Sequence, residues 1–259
     1  MKVALIQSKA GTQKEENIKR AVAFVRKAAQ KKAEFILLPE LFVYQGPDGA
    51  GAAEMIPGPT TRVFMKLAAE YGVYILCGSV YERVRGSKKV YNTAVLLNPK
   101  GNIQARYRKN HLFDAVIGRR VVKESQRFLA GKRGIIAKIK DFRVGLSICY
   151  DLRFPEFYRR YSKKGVDVLC VSSAFTHKTG KAHWEVLLRS RAVENLSYVL
   201  APNQCGVDGK GMLNYGNSMV VSPWGEILVR ASEKREGIAF AEIKKDVIQQ
   251  KRKILPSFK

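Results

Sequence analysis

Three residues, far apart in the chain, have the types and settings that could do chemistry: Cys149, Glu40 and Lys109. The apolar run Phe142 to Ile148 reads as a strand that delivers Cys149 to its carboxyl end, where open α/β sheets place their ligands. Pro155, with its fixed φ and missing N–H, suits the first turn of the helix that follows. A thiol facing the N-terminal end of helical peptide dipoles is expected to favour thiolate. The backbone N–H of Tyr150, one residue on, is placed to form part of an oxyanion hole. Taken alone, Cys149 could equally be a small buried hydrophobe at a strand end.

Glu40 sits in Leu37-Leu38-Pro39-Glu40-Leu41-Phe42. A carboxylate ending an apolar strand is poised for partial desolvation, which predicts a raised pKa and a usable general base. The competing reading is a helix cap or an exposed ion pair. Lys109 follows a strand-like stretch in Arg106 to Asp114. If buried beside carboxylates it would stay cationic and could hold a tetrahedral oxyanion; with 47 Lys and Arg in the chain, a solvated basic turn is the competing reading.

The elements that must position these groups alternate between two periods. Val3–Gln7, Glu34–Glu40, Val73–Ser79, Val90–Leu97 and Ile103–Tyr107 read as strands, with Glu15–Lys31 and Thr60–Tyr71 as amphipathic helices. Asn98-Pro99-Lys100-Gly101 is a turn signal. Beyond Cys149 come helix Pro155–Lys163, strand Val166–Ser172, helix Trp184–Asn195 and strands at Ser197–Pro202, Ser218–Ser222, Ile227–Arg230 and Gly237–Glu242. Strands alternating with helices predict an α/β fold, and 259 residues without a repeat or linker predict one domain spanning residues 1–259.

Composition narrows the function classes. No run of about 18 apolar residues is present, which argues against a membrane partner, and the opening Met1 to Ser8 reads as a first strand and not a signal peptide. The cysteines Cys77, Cys149, Cys170 and Cys205 form no C-x-x-C pair or zinc spacing, so no metal is expected and free thiols in a reducing cytoplasm are. The net charge of +25 is spread in ones, twos and threes, the pattern of a solvated basic surface more than of a nucleic-acid arm. A basic binding module for nucleic acid or another anionic partner is the non-enzymatic alternative.

Taken together, LLPELF (Leu37–Phe42), YRKNHLFD (Tyr107–Asp114) and SICYDLRFPE (Ser147–Glu156), in that order, closely resemble the nitrilase superfamily of carbon–nitrogen hydrolases. The resemblance runs through KVALIQ (Lys2–Gln7), PGPTT (Pro57–Thr61), YNTAVLLNPKG (Tyr91–Gly101), HWEVLLRSRAVEN (His183–Asn195) and GNSMVVSPWGEIL (Gly216–Leu228). It implies a four-layer α-β-β-α sandwich, a Glu40-Lys109-Cys149 triad working without a cofactor, and a homodimer or higher homo-oligomer. Glu124 matches a second glutamate of many members, with a part in positioning substrate or Lys109. Ile117-Gly118 departs from a frequent Pro-Gly. Members also continue past the Ile254–Lys259 stretch into a short basic and aromatic tail that helps dimer contacts.

For substrate, CYDLRFPE resembles the branch of omega-amidases and deaminated-glutathione amidases, and N-carbamoyl amino acid hydrolases share a related motif with an arginine at the position of Arg153. The implied reaction is hydrolysis of a small linear amide carrying a carboxylate, with release of ammonia through a thioester. Arg153 could grip that carboxylate bidentately, or instead pair with Asp151 or Glu156 as scaffold. By resemblance Ala174 and Phe175 join Tyr150 and Arg153 at the substrate. His111, His177 and His183 are read as structural or pocket-lining.

Overall fold

The computed structural model describes residues 1–118 and 120–256. Arg119 and the closing Ser257-Phe258-Lys259 of the stretch noted above lie outside the described residues. The first half runs β1 (Lys2–Gln7), α1 (Lys14–Gln30), β2 (Phe35–Leu37), α2 (Pro59–Tyr71), β3 (Tyr74–Glu82), β4 (Tyr91–Leu97), β5 (Ile103–Arg108), β6 (Asp114–Ile117) and β7 (Arg120–Lys123). The second runs β8 (Ile135–Ile139), β9 (Phe142–Ile148), α3 (Pro155–Ser162), β10 (Val168–Ser172), α4 (His177–Asn195), β11 (Tyr198–Ala201), β12 (Cys205–Val207) and β13 (Leu213–Tyr215). It ends in β14 (Met219–Val221), β15 (Ile227–Arg230), β16 (Gly237–Glu242) and α5 (Lys245–Ile254).

Side-chain alternation sets the layers. In β1, Val3 and Leu5 enter one core while Ala4 and Ile6 enter another; in β2, Phe35 and Leu37 divide from Ile36 in the same way. The first core holds Val144, Leu146 and Ile148 of β9 as well, so it lies between two sheets. The other holds Ala21 and Val25 of α1 with Phe64 and Leu67 of α2, so it lies beneath helices. Strands buried on both faces read as continuous apolar runs, as both Phe35–Leu38 and Val168–Val171 do. Trp184 and Leu188 of α4 and Phe157 of α3 close the far side of the second sheet, which completes the α-β-β-α sandwich.

The two sheets share a plan that the sequence does not display as a repeat. One is ordered β16-β1-β2-β3-β4-β5 and the other β15-β14-β11-β10-β9-β8. Each has three parallel strands in its middle (β1, β2, β3 and β9, β10, β11), one antiparallel strand on one side and two on the other. The carboxyl ends of the parallel strands therefore open toward a common end of the molecule, where the Glu40 N–H donates to the Ser173 carbonyl at 3.3 Å.

Several expectations shift. The helix expected to begin at Trp184 begins two turns earlier, at His177; Gly180 hides its first turns from a pattern search, yet is required because a Cβ there would meet Tyr215 at 2.5 Å. The strand expected over Glu34–Glu40 is confined to Phe35–Leu37. Hairpins β6–β7 and β12–β13, strand β8 and the basic helix α5 carry too little apolar periodicity to have been read. A test of the sheet junction follows from Gly78 in β3. A Cβ at Gly78 would lie 1.7 Å from the Leu38 carbonyl oxygen and 2.7 Å from the Ser172 hydroxyl, a collision with backbone of the adjoining strand's end and with a side chain of the other sheet. Gly78→Ala is expected to destabilise the fold by about 3 kcal/mol or more, read as a fall in Tm or a shifted urea midpoint; a midpoint unchanged from wild type would contradict this packing.

Candidate active site

Glu40, Lys109 and Cys149 leave three different strands and meet at the open end of the sandwich. Glu40 follows β2 through Pro39, and Leu41 turns the chain sharply with a left-handed φ of 47° while its N–H donates to the Ser79 hydroxyl at 2.8 Å. The Gln204 amide donates to the Glu40 carbonyl at 2.7 Å. The Glu40 carboxylate, 3% exposed, accepts from Asn92 Nδ2 at 2.8 Å and Lys109 Nζ at 2.9 Å on Oε1, and from the Ala174 N–H at 3.0 Å on Oε2. The Cys149 thiol lies close enough to the same carboxylate for the two to interact.

Lys109 extends the register of β5 by one residue: its N–H donates to the Asn92 carbonyl at 2.9 Å, and its own carbonyl accepts from the Gly131 N–H at 2.8 Å. The side chain is 1% exposed. Its ammonium donates to both oxygens of Glu124 at 3.0 and 2.8 Å as well as to Glu40. Glu124 also accepts the Phe113 N–H at 2.8 Å, which fastens the foot of the β6–β7 hairpin to the lysine.

Cys149 sits at φ 46°, a strained value for a non-glycine residue and of the kind found where a nucleophile is presented on a sharp turn. It opens a 3-10 turn, Cys149–Arg153. Asp151, fully buried, holds that turn: its oxygens accept the Ile148 N–H at 2.9 Å, the Tyr107 hydroxyl at 2.6 Å and the His111 N–H at 3.0 Å, and His111 Nδ1 lies 2.7 Å away. The His111 ring stacks on Phe154 at 3.7 Å. The cysteine turn and the Lys109 loop are thereby tied together. The Tyr150 N–H is among the first donors of the turn, which have no acceptor within it.

The electrostatics correct two expectations from the sequence. Burial raises the Glu40 carboxyl, but the Lys109 ammonium together with hydrogen bonds from Lys109, Cys149 and Asn92 outweighs it, so Glu40 is held below the usual carboxylate range. Glu124 carries the raised pKa instead, through burial and the nearby Glu40 charge, against the pull of Lys109. Burial opposes the charge of Lys109, yet Glu124 and Glu40 drive its pKa well above the ordinary value. The Cys149 thiol is pushed well up by burial and then by Glu40, with Lys109 offsetting only part. The peptide dipoles at the turn therefore do not produce a resting thiolate; the proton stays on sulfur.

A cavity of about 640 Å³ opens onto this group, with Tyr150, Arg153, Ala174 and Phe175 among its walls. The Arg153 guanidinium lies 5.1 Å from the Phe175 ring and 5.8 Å from that of Tyr150, with Nη1 3.2 Å from His183 Nδ1. The scaffold pairing with Asp151 or Glu156 is not formed: Asp151 is spent on the turn, and among the described residues Arg153 is in no ion pair. His183 supports Arg153, whereas His177 reaches Glu233 at 3.1 Å. Ala174 contributes its backbone N–H to Glu40. Sequence reading missed Asn92 and Gln204; a fully buried asparagine inside the apolar run Tyr91–Leu97 was the available signal for the first. Among the described residues no group of three or more His, Cys, Asp or Glu side chains is arranged to hold a metal ion, and no helix is long and apolar enough to cross a membrane.

Comparison with known proteins gives a consistent picture. The family model described as carbon–nitrogen hydrolase matches residues 2–253. The chain is 38% identical to the human omega-amidase NIT2, over 100% of this chain and 94% of that protein, and 42% identical to a deaminated glutathione amidase of Synechocystis, over 93% and 91%. In three dimensions it superposes on the C. elegans NitFhit protein with a TM-score of 0.94 at 34% identity, covering 99% of this chain and 64% of that one. Saccharomyces cerevisiae Nit3, a member of branch 10 of the nitrilase superfamily, gives a TM-score of 0.90 at 30% identity, over 100% and 95%.

The raised thiol pKa sets a measurable behaviour. An ordinary thiol with pKa about 8.5 gains reactivity roughly tenfold per pH unit below that value. With the Cys149 titration displaced upward, alkylation of Cys149 by iodoacetamide is expected to show no inflection near pH 8.5, whereas a model thiol measured alongside does. Mass-spectrometric rates that track the model thiol would show that Glu40 and burial do not control the proton.

Proposed function

The chain belongs to the carbon–nitrogen hydrolase family, and on that premise we propose that Cys149 is its nucleophile, Glu40 its proton carrier and Lys109 its oxyanion holder. The protein is an amidase: it hydrolyses the C–N bond of a small amide. Cys149 Sγ attacks the amide carbonyl as its proton passes to Glu40. The resulting oxyanion is met by Lys109, which has three N–H donors to share, and by the Tyr150 N–H. As the C–N bond breaks, Glu40 gives its proton to the departing nitrogen, leaving a thioester. Water then adds to the thioester while Glu40 takes its proton, and the thiol is restored as the acid leaves. Glu124 holds Lys109 in place and keeps its charge balanced.

The observation that carries this reading is the buried cluster in which one ammonium bridges two carboxylates, one of them close enough to the thiol to influence its proton. The substrate is a linear amide carrying a carboxylate on its acyl portion, as in an omega-amidase, with ammonia released from primary amides. Arg153 is in position to receive that carboxylate, on the cavity wall and without an acidic partner among the described residues. The alternative substrates, deaminated glutathione and N-carbamoyl amino acids, share the carboxylate, and the first of these is favoured by the resemblance to the Synechocystis amidase.

Residues 1–259 act as one catalytic domain in this reading, in the cytoplasm, where Cys149 and the other three free cysteines stay reduced. The protein works as a homodimer; the support is an exposed apolar strip on α4, Val186 (58% exposed) and Val193 (43%), the latter against Gly225 beside the exposed Trp224.

Cys149→Ala and Glu40→Gln are expected to lower kcat for ammonia release by about 10³-fold or more, with near-native circular dichroism; residual turnover within tenfold of wild type would refute the assigned roles. Because the Glu40 pKa is depressed, the carboxylate remains ionised as pH falls, so the acid limb of kcat/KM is expected below about pH 4.3, the ordinary glutamate value. Arg153→Ala is expected to raise KM for glutaramate by about tenfold or more, the loss of a charge-assisted contact. Equal rates on glutaramate and on neutral glutaramide by the wild type would contradict the carboxylate requirement.

A further inference from the structure

Ala94 and Leu96 of β4 enter the core between the two sheets, and Asn92, two residues earlier, shares their face of the strand. It is fully buried where an apolar side chain would continue the run. Its carboxamide donates through Nδ2 to Glu40 Oε1 at 2.8 Å, and its Oδ1 has no hydrogen-bond partner among the described residues. Rotating the amide would not relieve this, because it would set one oxygen against a carboxylate oxygen. A buried acceptor left unpaired works against folding, so Asn92 is a poor choice for stability alone. The same residue also receives Lys109: its backbone carbonyl accepts the Lys109 N–H at 2.9 Å. One strand position thus fixes the acid and the amine relative to each other.

The two oxygens of Glu40 are therefore unequal. Oε1 accepts from both Asn92 and the Lys109 ammonium, which fills both of its lone-pair directions. Oε2 accepts one N–H, that of Ala174 at 3.0 Å, and keeps a direction open. The Ala174 N–H also acts on the Cys149 thiol, so Oε2 is the oxygen on the sulfur side. We propose that Asn92 is a positioning residue of the amidase reaction: together with Lys109 it holds Glu40 so that Oε2 alone carries the proton. The inference rests on the amidase reading above. The Sγ proton passes to Oε2 as sulfur bonds to carbon and the carbonyl electrons move onto oxygen. Oε2 gives that proton to nitrogen as the C–N bond breaks, and takes another from water as the thioester is attacked. It returns this second proton to Sγ as the C–S bond breaks. Oε1 keeps its two donors throughout, so the carboxyl does not turn between steps.

The test is Asn92→Leu, which keeps the volume and removes both the donor and the unpaired acceptor. The Asn92 hydrogen bond lowers the Glu40 pKa, so its loss is expected to move the acid limb of kcat/KM for glutaramate up by about one pH unit. The carboxylate becomes the stronger base yet loses its aim. At neutral pH kcat is accordingly expected to fall by about tenfold or more, with KM within about twofold of wild type. Tm is expected to stay within about 4 °C of wild type, because the lost hydrogen bond and the removed unpaired oxygen offset each other. In Asn92→Asp the introduced carboxyl donates to Oε1 only when protonated, so kcat is expected to rise as pH falls from neutrality, where that of wild type stays level. For Asn92→Leu, a kcat at or above the wild-type value, an unmoved acid limb or a larger loss of Tm would each overturn the role given to Asn92 and leave the amidase reading intact. Glutaramate turnover near the wild-type rate in Cys149→Ala or Glu40→Gln would overturn both.

Discussion

Enclosing the Lys109 ammonium away from water is the constraint on which the rest of the structure depends. A cation at 1% exposure is tolerable only with anions in direct contact, and two carboxylates supply them. That arrangement divides the labour of the two glutamates. The one shared with the thiol is kept ionised, and the other absorbs the rise in proton affinity that crowding two carboxylates entails. Ionisation of Glu40 near neutrality is thus secured by the cation, at some expense of basicity, whereas desolvation by itself would raise the carboxyl pKa.

The scaffold serves that cluster by bringing backbone from both sheets into contact. Glu40 is gripped by one sheet through Asn92 and Lys109, and by the other through Ala174, Ser173 and Gln204. Asp151 performs the same service for the thiol, linking the Cys149 turn to Tyr107 and His111 from the opposite sheet. The strained φ of Cys149 persists because both of its flanks are fixed in this way. Precision at the site is therefore a property of the junction more than of any one loop.

The strands that hold the three principal residues were legible because apolar runs ending in Pro39-Glu40 or Cys149 report burial on both faces of a sheet. Order and context of Glu40, Lys109 and Cys149 then pointed to a family, and the fold followed. What stayed hidden depends on partners remote in sequence. The direction of the Glu40 pKa is set by a lysine 69 residues away, and the thiol is kept protonated by burial and then by a carboxylate from the other sheet. The engagement of Asp151, which leaves Arg153 without that partner, likewise arises only from tertiary contact. Hairpins β6–β7 and β12–β13 escaped notice because each strand is three or four residues long, too short for period-two alternation to register.

The closing of the first sheet has a consequence for biosynthesis. Strand β1 is covered on one side by β2 and on the other by β16 (Gly237–Glu242), with Lys2 opposite Glu242. Until the ribosome has released residue 242, the nascent amino-terminal half displays an open strand edge, an invitation to mispairing with other chains. That edge is sealed only after Gly237–Glu242 has been made and can pair with β1.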